Sequence, residues 1–213
     1  MVSLYDAGVV VKHTLRARQA EETRQLLIAT ARDLFTERGF AATSIEEIIQ
    51  RAGVAKGALY HHFSGKKELF RAVYDAVQAD AVAGVVAAAL AEADPWVAVR
   101  AGLSAFLDVC LEPAFRRIVV LDSVGVLQQD VWDGGIEHNE LPMLRAVLTP
   151  LVAADLLPGV GVEPLVHVTL GGLYGAALFI ARSRQPRDAR GEVDAVLDAL
   201  VAGLQSRLEP TPP

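Results

Sequence analysis

Apolar residues recur three and four positions apart along most of this chain, the spacing of one helix face. From about 21 to 38, Leu27, Ala31, Leu34 and Phe35 form such a stripe, and Gly39 supplies a C-terminal stop. Thr43-Ser44-Ile45-Glu46-Glu47 follows. Both Thr43/Glu46 and Ser44/Glu47 fit a capping box, so a second helix starts here. It is short, turns Ile45, Ile48 and Ile49 inward, and ends near Ala52-Gly53. After Val54 a third short helix is expected over 55–61, with Ala58, Leu59 and Tyr60, and Phe63 closes the unit. Ser64-Gly65 breaks the pattern, and Lys66 opens a longer helix through Leu69, Phe70, Val73, Tyr74 and Val77. Residues 1–20 show no clear apolar period. They read as a flexible arm, made basic by Lys12, His13, Arg16 and Arg18.

Beyond residue 80 the pattern stays helical. Asp94-Pro95 reads as an N-cap followed by proline at the first helical position, and Glu112-Pro113 looks similar. A segment over 126–155 carries Trp132, Ile136, Leu141, Leu144, Val147, Leu148 and Leu151, with Pro142 and Gly134-Gly135 as possible kinks or splits. Pro158-Gly159-Val160-Gly161 is a turn. Two further helices are expected over 163–184 and 188–208, separated by Gln185-Pro186. No strand alternation and no internal repeat is visible. The expected fold is all-α: an arm over 1–20, a helix-turn-helix domain over 21–71, a further helical domain over 72–209, and a disordered tail over 210–213.

Composition narrows the class. With 213 residues, 52% of them hydrophobic and 22% charged, the chain is globular rather than disordered. Its single cysteine, Cys110, rules out a disulfide within the chain and fits a reducing compartment. The N-terminus lacks a basic start followed by a long apolar stretch, so no signal peptide is expected. The apolar runs 81–91 and 168–181 are about 11 and about 14 residues, too short for a span of ~20, so no membrane partner is expected and a cytoplasmic location follows.

The net charge of −6 looks unpromising for nucleic acid, but its distribution is not. Residues 1–71 hold 11 Lys/Arg against 8 Asp/Glu, whereas residues 72–213 hold 9 against 18. The basic excess falls on the segment with the two short helices. Two such helices joined by a glycine-containing turn form the unit that fits a DNA major groove. The second of them reads Ala55-Lys56-Gly57-Ala58-Leu59-Tyr60-His61-His62-Phe63. Ala55, Gly57 and Ala58 permit close backbone approach. Lys56 brings charge, and Tyr60, His61 and His62 can donate to phosphate oxygens. Lys66 stands at the start of the next helix, where positive charge and free amides also favour phosphate.

Thr43-Ser44-Ile45-Glu46-Glu47-Ile48, then Ala52-Gly53-Val54 with the segment above, then Lys66-Lys67-Glu68-Leu69, resembles the headpiece of the tetracycline-repressor (TetR) family over about 50 residues. The resemblance implies phosphate contacts from Thr43, Tyr60, His61 and Lys66, with Ser44 and His62 beside them. It implies groove contacts from Ala55, Lys56 and Gly57. It also implies a helical second domain with a ligand pocket and a dimer interface, and hence double-stranded DNA with a palindromic operator, a second copy of the chain and a small molecule as partners.

Polar or aromatic groups scattered in apolar helices are the pocket candidates: Phe106, Cys110, Trp132, His138, His167, Tyr174 and Phe179. The last two helices carry dimer candidates, Leu165, Val168 and Gly172 on one and Val193, Leu197, Leu200 and Leu204 on the other. Small residues such as Gly171, Gly172 and Gly175 permit close helix packing into a four-helix interface. Adjacent His61 and His62 point roughly 100° apart on a helix and lack further ligands at metal spacing, so no metal is expected. His138-Asn139-Glu140, His167 and Cys110 are raw material for catalysis. No nucleophile elbow, phosphate loop or zinc spacing accompanies them, so neither an enzyme nor a cofactor is expected. The sequence therefore points to a dimeric, ligand-released repressor. Its reading helix has no Arg, Asn or Gln, so backbone approach and DNA shape are expected to supply much of its specificity.

Overall fold

The apolar stripe at residues 27–35 sits in a helix much longer than expected. In a computed structural model describing residues 4–127 and 140–206, with side chains from Arg16 onward, α1 spans Leu4–Arg38. The helix placed from about residue 21 thus begins well inside the segment read as a flexible arm. No proline interrupts it, and turn-to-turn bonds support it: Arg18 to Glu22 at 2.9 Å, Gln25 to Glu21 at 2.6 Å. Once the buried stripe has nucleated a helix, each further residue adds a hydrogen bond at little cost, with or without an apolar face.

The chain divides into two compact units, 1–73 and 74–213. In the first, α2 (Ile45–Ala52) and α3 (Lys56–His62) pack on α1, and α4 (Lys66–Leu90) begins. Of the two possible caps, Ser44/Glu47 forms. The Glu47 amide donates to Ser44 Oγ at 3.2 Å, and the Ser44 amide donates to Glu47 Oε2 at 2.9 Å. Gly53 ends α2 at φ +68°, a conformation costly for any residue with a Cβ, and its amide returns to the Ile49 and Gln50 carbonyls. Leu27, Ala31, Leu34, Phe35, Ile48, Leu59, Phe63, Leu69 and Phe70 form the core. Within it the Phe35, Phe40 and Phe70 rings meet with centroids 5.0–5.8 Å apart. Arg51 grips the Glu37 carboxylate with two 3.0 Å bonds, and Arg38 meets Glu47 at 2.7 Å.

The second unit holds the rest of α4, then α5 (Pro95–Val109), α6 (113–126), α7 (Glu140–Ala153), α8 (Val162–Arg182) and α9 (Pro186–Ser206). Asp94 caps α5 by accepting from the Trp96 and Val97 amides, with Pro95 at the first position. Pro113 opens α6, whose middle, Phe115–Asp122, winds as a π-helix and buries Phe115, Ile118 and Val119. Pro142 lies in the first turn of α7, where a missing amide proton leaves no bond unmade, so it does not split the helix. Ion pairs tie the helices at their margins. Arg145 grips Glu163 between α7 and α8 at 2.7 and 2.9 Å, and Arg100 meets Asp198 between α5 and α9 at 2.7 Å.

Among the described residues, α4 and α8 are long and apolar enough to cross a membrane by length and composition. Scattered polar residues interrupt the apolar runs of both helices without lowering their mean hydropathy below that of a span. Both place apolar side chains in the protein core, Leu69, Phe70, Val73 and Val77 from α4 and Val166, Leu173, Ala177 and Ile180 from α8.

Removing the α2 cap isolates its contribution. Ser44→Ala is expected to lower unfolding stability by about 1 kcal/mol, read as a shifted urea midpoint with an unchanged slope.

Candidate functional site

Only one face of α3 is spent on packing. Leu59 is fully buried, and Phe63 closes the core just beyond the helix. Ala55, Lys56, Gly57, Tyr60 and His61 are exposed, and His62 is half-buried. Lys56, Gly57, Tyr60 and His61 lie at helical spacing on the free side. Lys56 Nζ sits 5.9 Å from the Tyr60 ring centroid and 3.8 Å from Glu46, the latter an exposed pairing of little worth. A Cβ built on Gly57 would meet no atom within 4 Å, so the space in front of this backbone is open. The arrangement offers a bare stretch of helix flanked by a cation and a phenol, suited to a groove wall of phosphates.

Three residues expected at this interface are held by the protein itself. Thr43 is 1% exposed, and its hydroxyl donates to the carbonyls of Gly39 at 2.9 Å and Leu34 at 3.3 Å. Lys66 donates to the Phe40 and Thr43 carbonyls, both at 2.8 Å, with its ammonium 4.2 Å from the Phe40 ring centroid. Both fasten the α1–α2 connection. The physical reason is local: the turn after Gly39 leaves carbonyls that need donors, and these two side chains reach them. Ser44 is occupied as the α2 cap. His61 and His62 stack edge to face at 5.0 Å, and no cluster of metal-ligating side chains occurs among the described residues.

The second unit contains a cavity of about 700 Å³, within the range of small-molecule sites. Its walls come from α4, α5, α7, α8 and α9, and they are apolar apart from Thr169 and the Trp96 indole. Of the pocket candidates Phe106 lines it. Cys110 is fully buried but not in its wall, and burial pushes the thiol up to about 12. His167 is exposed, and Phe179 is exposed on a shallow groove with Leu178 and Arg182. Trp132 and His138 lie outside the described residues. Of the dimer candidates, Leu165, Val168, Gly172, Leu197, Leu200 and Leu204 line the cavity, and Val193 is half-buried on α9. Val168, Leu200 and Leu204 are also substantially exposed, so the cavity opens on that face.

Tyr174 joins a polar group that the sequence did not assemble. Its hydroxyl donates to Glu140 Oε1 at 3.3 Å, Gln78 Nε2 donates to the same oxygen, and Gln78 also reaches Tyr74 Oη at 3.1 Å. Glu140 is 7% exposed. Desolvation drives its carboxyl above the usual range, against its own backbone amide and the Tyr174 and Gln78 donors, which favour the anion. The sequence signals were present, a lone acid opening an apolar helix and a lone amide in the apolar stripe of α4. Only packing shows that they meet.

Comparison with known proteins places this architecture. The family model for bacterial regulatory proteins of the tetR family matches residues 27–73, and the tetracyclin repressor-like C-terminal domain matches residues 96–204. A TetR-family transcriptional regulator from Pectobacterium atrosepticum superposes with a TM-score of 0.78 at 32% identity, covering 88% of this chain and 96% of that one. The transposon Tn10 TetC protein of Escherichia coli is 24% identical over 187 residues, 88% of this chain and 94% of that protein. The transcriptional activator FasR of Mycolicibacterium smegmatis is 42% identical over 93 residues, 44% of this chain and 42% of that protein. A helix-turn-helix unit followed by a helical cavity-bearing unit defines a DNA-binding transcriptional regulator with a ligand-binding C-terminal domain. The chain belongs to the TetR family.

Two outcomes separate reading from scaffolding in the headpiece. The Cβ of Gly57→Leu meets no protein atom within 4 Å, so the urea midpoint should not fall while DNA affinity drops about tenfold or more (~1.4 kcal/mol). Lys66→Met should lower the urea midpoint instead, because two carbonyls lose their donor. A third outcome concerns pH. A carboxyl whose folded pKa is raised contributes stability at low pH that is lost as pH climbs from the ordinary carboxylate range through the folded value. Glu140→Gln should therefore match the native chain in acid and exceed it in relative stability towards neutrality, measured by urea melts across pH.

Proposed function

We propose that this regulator is a cytoplasmic homodimeric repressor, released from a palindromic operator when a small molecule enters the cavity of the second unit. The observation that carries the reading is that cavity: a large apolar space in a chain whose other unit exposes a DNA-reading helix face. A ligand that favours a conformer with the wrong spacing of the two reading helices depletes the DNA-competent state, and DNA must weaken ligand binding by the same factor. Lys56, Gly57, Tyr60 and His61 are the contacts expected to carry DNA binding, with Ala55 and His62 at its edge.

Exposed apolar side chains support the dimer. On α9, Val196, Leu200 and Leu204 lie one turn apart and are 59%, 59% and 40% exposed. On α8, Val168 and Phe179 are 75% and 52% exposed, with Gly172 and Gly175 open between them. A second copy covering these faces gives two reading helices related by a two-fold axis, which matches a palindrome.

Fluorescence anisotropy on the intergenic DNA beside the chain's own gene tests the reading. Expected is sequence-selective binding that weakens steeply with salt, and loss of that binding in the Lys56→Ala/Tyr60→Ala double variant. Non-selective binding would overturn the operator reading, and a promoter whose output drops when the gene is deleted would overturn repression. Val196→Glu, outside the cavity wall, should yield monomers by sedimentation and weaken operator binding.

A further inference from the structure

The reading helix α3 has no Arg, Asn or Gln to pair with a base edge, so a further reader must stand outside it. Glu46, in the first turn of α2, reaches the same surface. Its Oε1 lies 3.8 Å from Lys56 Nζ, and the Glu46 and Lys56 side chains are 71% and 66% exposed. The neighbouring acids are committed to the frame. Glu37 holds Arg51, Glu47 closes the α2 cap and meets Arg38, and Glu68 accepts from the Ser64 amide. Glu46 has no such duty. The Thr43/Glu46 cap does not form, because the Thr43 hydroxyl turns inward to Gly39 and Leu34. An exposed ion pair with Lys56 adds little to stability.

A carboxylate at this place is unfavourable against DNA in general. It meets phosphates of its own sign, and it offsets the charge of Lys56. In the major groove guanine presents the acceptors O6 and N7, and thymine presents O4, all of which repel it. Adenine sets its N6 donor beside the N7 acceptor. Cytosine presents the N4 amino group, a donor that a carboxylate accepts from. One side chain thus penalises most sequences and favours one base, which raises specificity through repulsion as well as attraction.

We propose that Glu46 is a specificity-determining residue, accepting a hydrogen bond from the N4 amino group of a cytosine in the DNA site and opposing binding elsewhere. This rests on the reading of the exposed α3 face as the DNA contact and names a base that α2 reads beside it. On unmatched DNA Glu46 continues to compete with phosphate for Lys56. On the matched site the cytosine amino group engages the carboxylate, and Lys56 is released to a phosphate.

The test selects the native chain and Glu46→Ala separately against a randomised double-stranded DNA library. Affinities are then measured for the recovered sites, for their single-base variants and for an unrelated duplex of equal length. Expected for the native chain is a cytosine whose replacement weakens binding about tenfold or more. Glu46→Ala should be indifferent to that base, keep the other base preferences and bind the unrelated duplex more tightly than the native chain does. Glu46→Gln should move the preference at that position from cytosine to adenine, whose N6 and N7 suit an amide, a change that a merely structural role would not give. Urea midpoints of both variants should stay close to the native value, since the side chain is exposed and outside the cap. A native site without such a cytosine, or a cytosine preference that survives Glu46→Ala, overturns the reader and leaves the α3 reading standing. Undiminished binding of the recovered site by Lys56→Ala/Tyr60→Ala overturns the two together.

Discussion

Helices of eight and seven residues do not persist alone in water, and the reading surface consists of two of them. Everything the first unit does depends on how α2 and α3 are clamped. The clamp has an apolar part, Ile48 and Leu59 set against the α1 stripe, with the three-phenylalanine cluster fixing the bend after Gly39. It also has a polar part, since Lys66 and Thr43 satisfy the carbonyls that this bend strands. With both sides of the frame held, the outer face of α3 needs no packing role. It can carry a glycine, an exposed lysine and a tyrosine without loss of order.

This division explains what was legible in the sequence. The helix-turn-helix was readable because its signals are local: a capping pair, Gly39 and Gly53 as stops, and isoleucines at helical spacing. The roles of Thr43 and Lys66 were not, because nothing in their immediate sequence reveals which carbonyls a distant turn leaves exposed. The apolar stripe marks only the C-terminal part of α1, and backbone bonds carry the helix onward to Leu4. Pro142 looked like a break and was harmless, since its position within the helix decides its effect.

The second unit was less legible for a different reason. Its cavity wall is built from valines and leucines that look like any core, so that Phe106 stands out in the sequence while Trp96, Val99 and Leu148 do not. Residues of α8 and α9 such as Leu165, Leu197 and Leu200 line that space, because each helix presents a face too broad for a single duty. The Glu140 cluster joins positions from three helices, and its parts are separated by 62 and 34 residues along the chain. Such constellations have no short-range signature.

The bareness of α9 has a consequence for the cell. Only Ala189 and Val201 of that helix are buried, and ion pairs of Arg190 and Arg100 join it to α5. Its integrity is borrowed from whatever covers its outer side. For a chain that covers it with its own twin, correct structure becomes a matter of copy number: newly made molecules at low abundance are looser and more open to proteolysis than those already assembled.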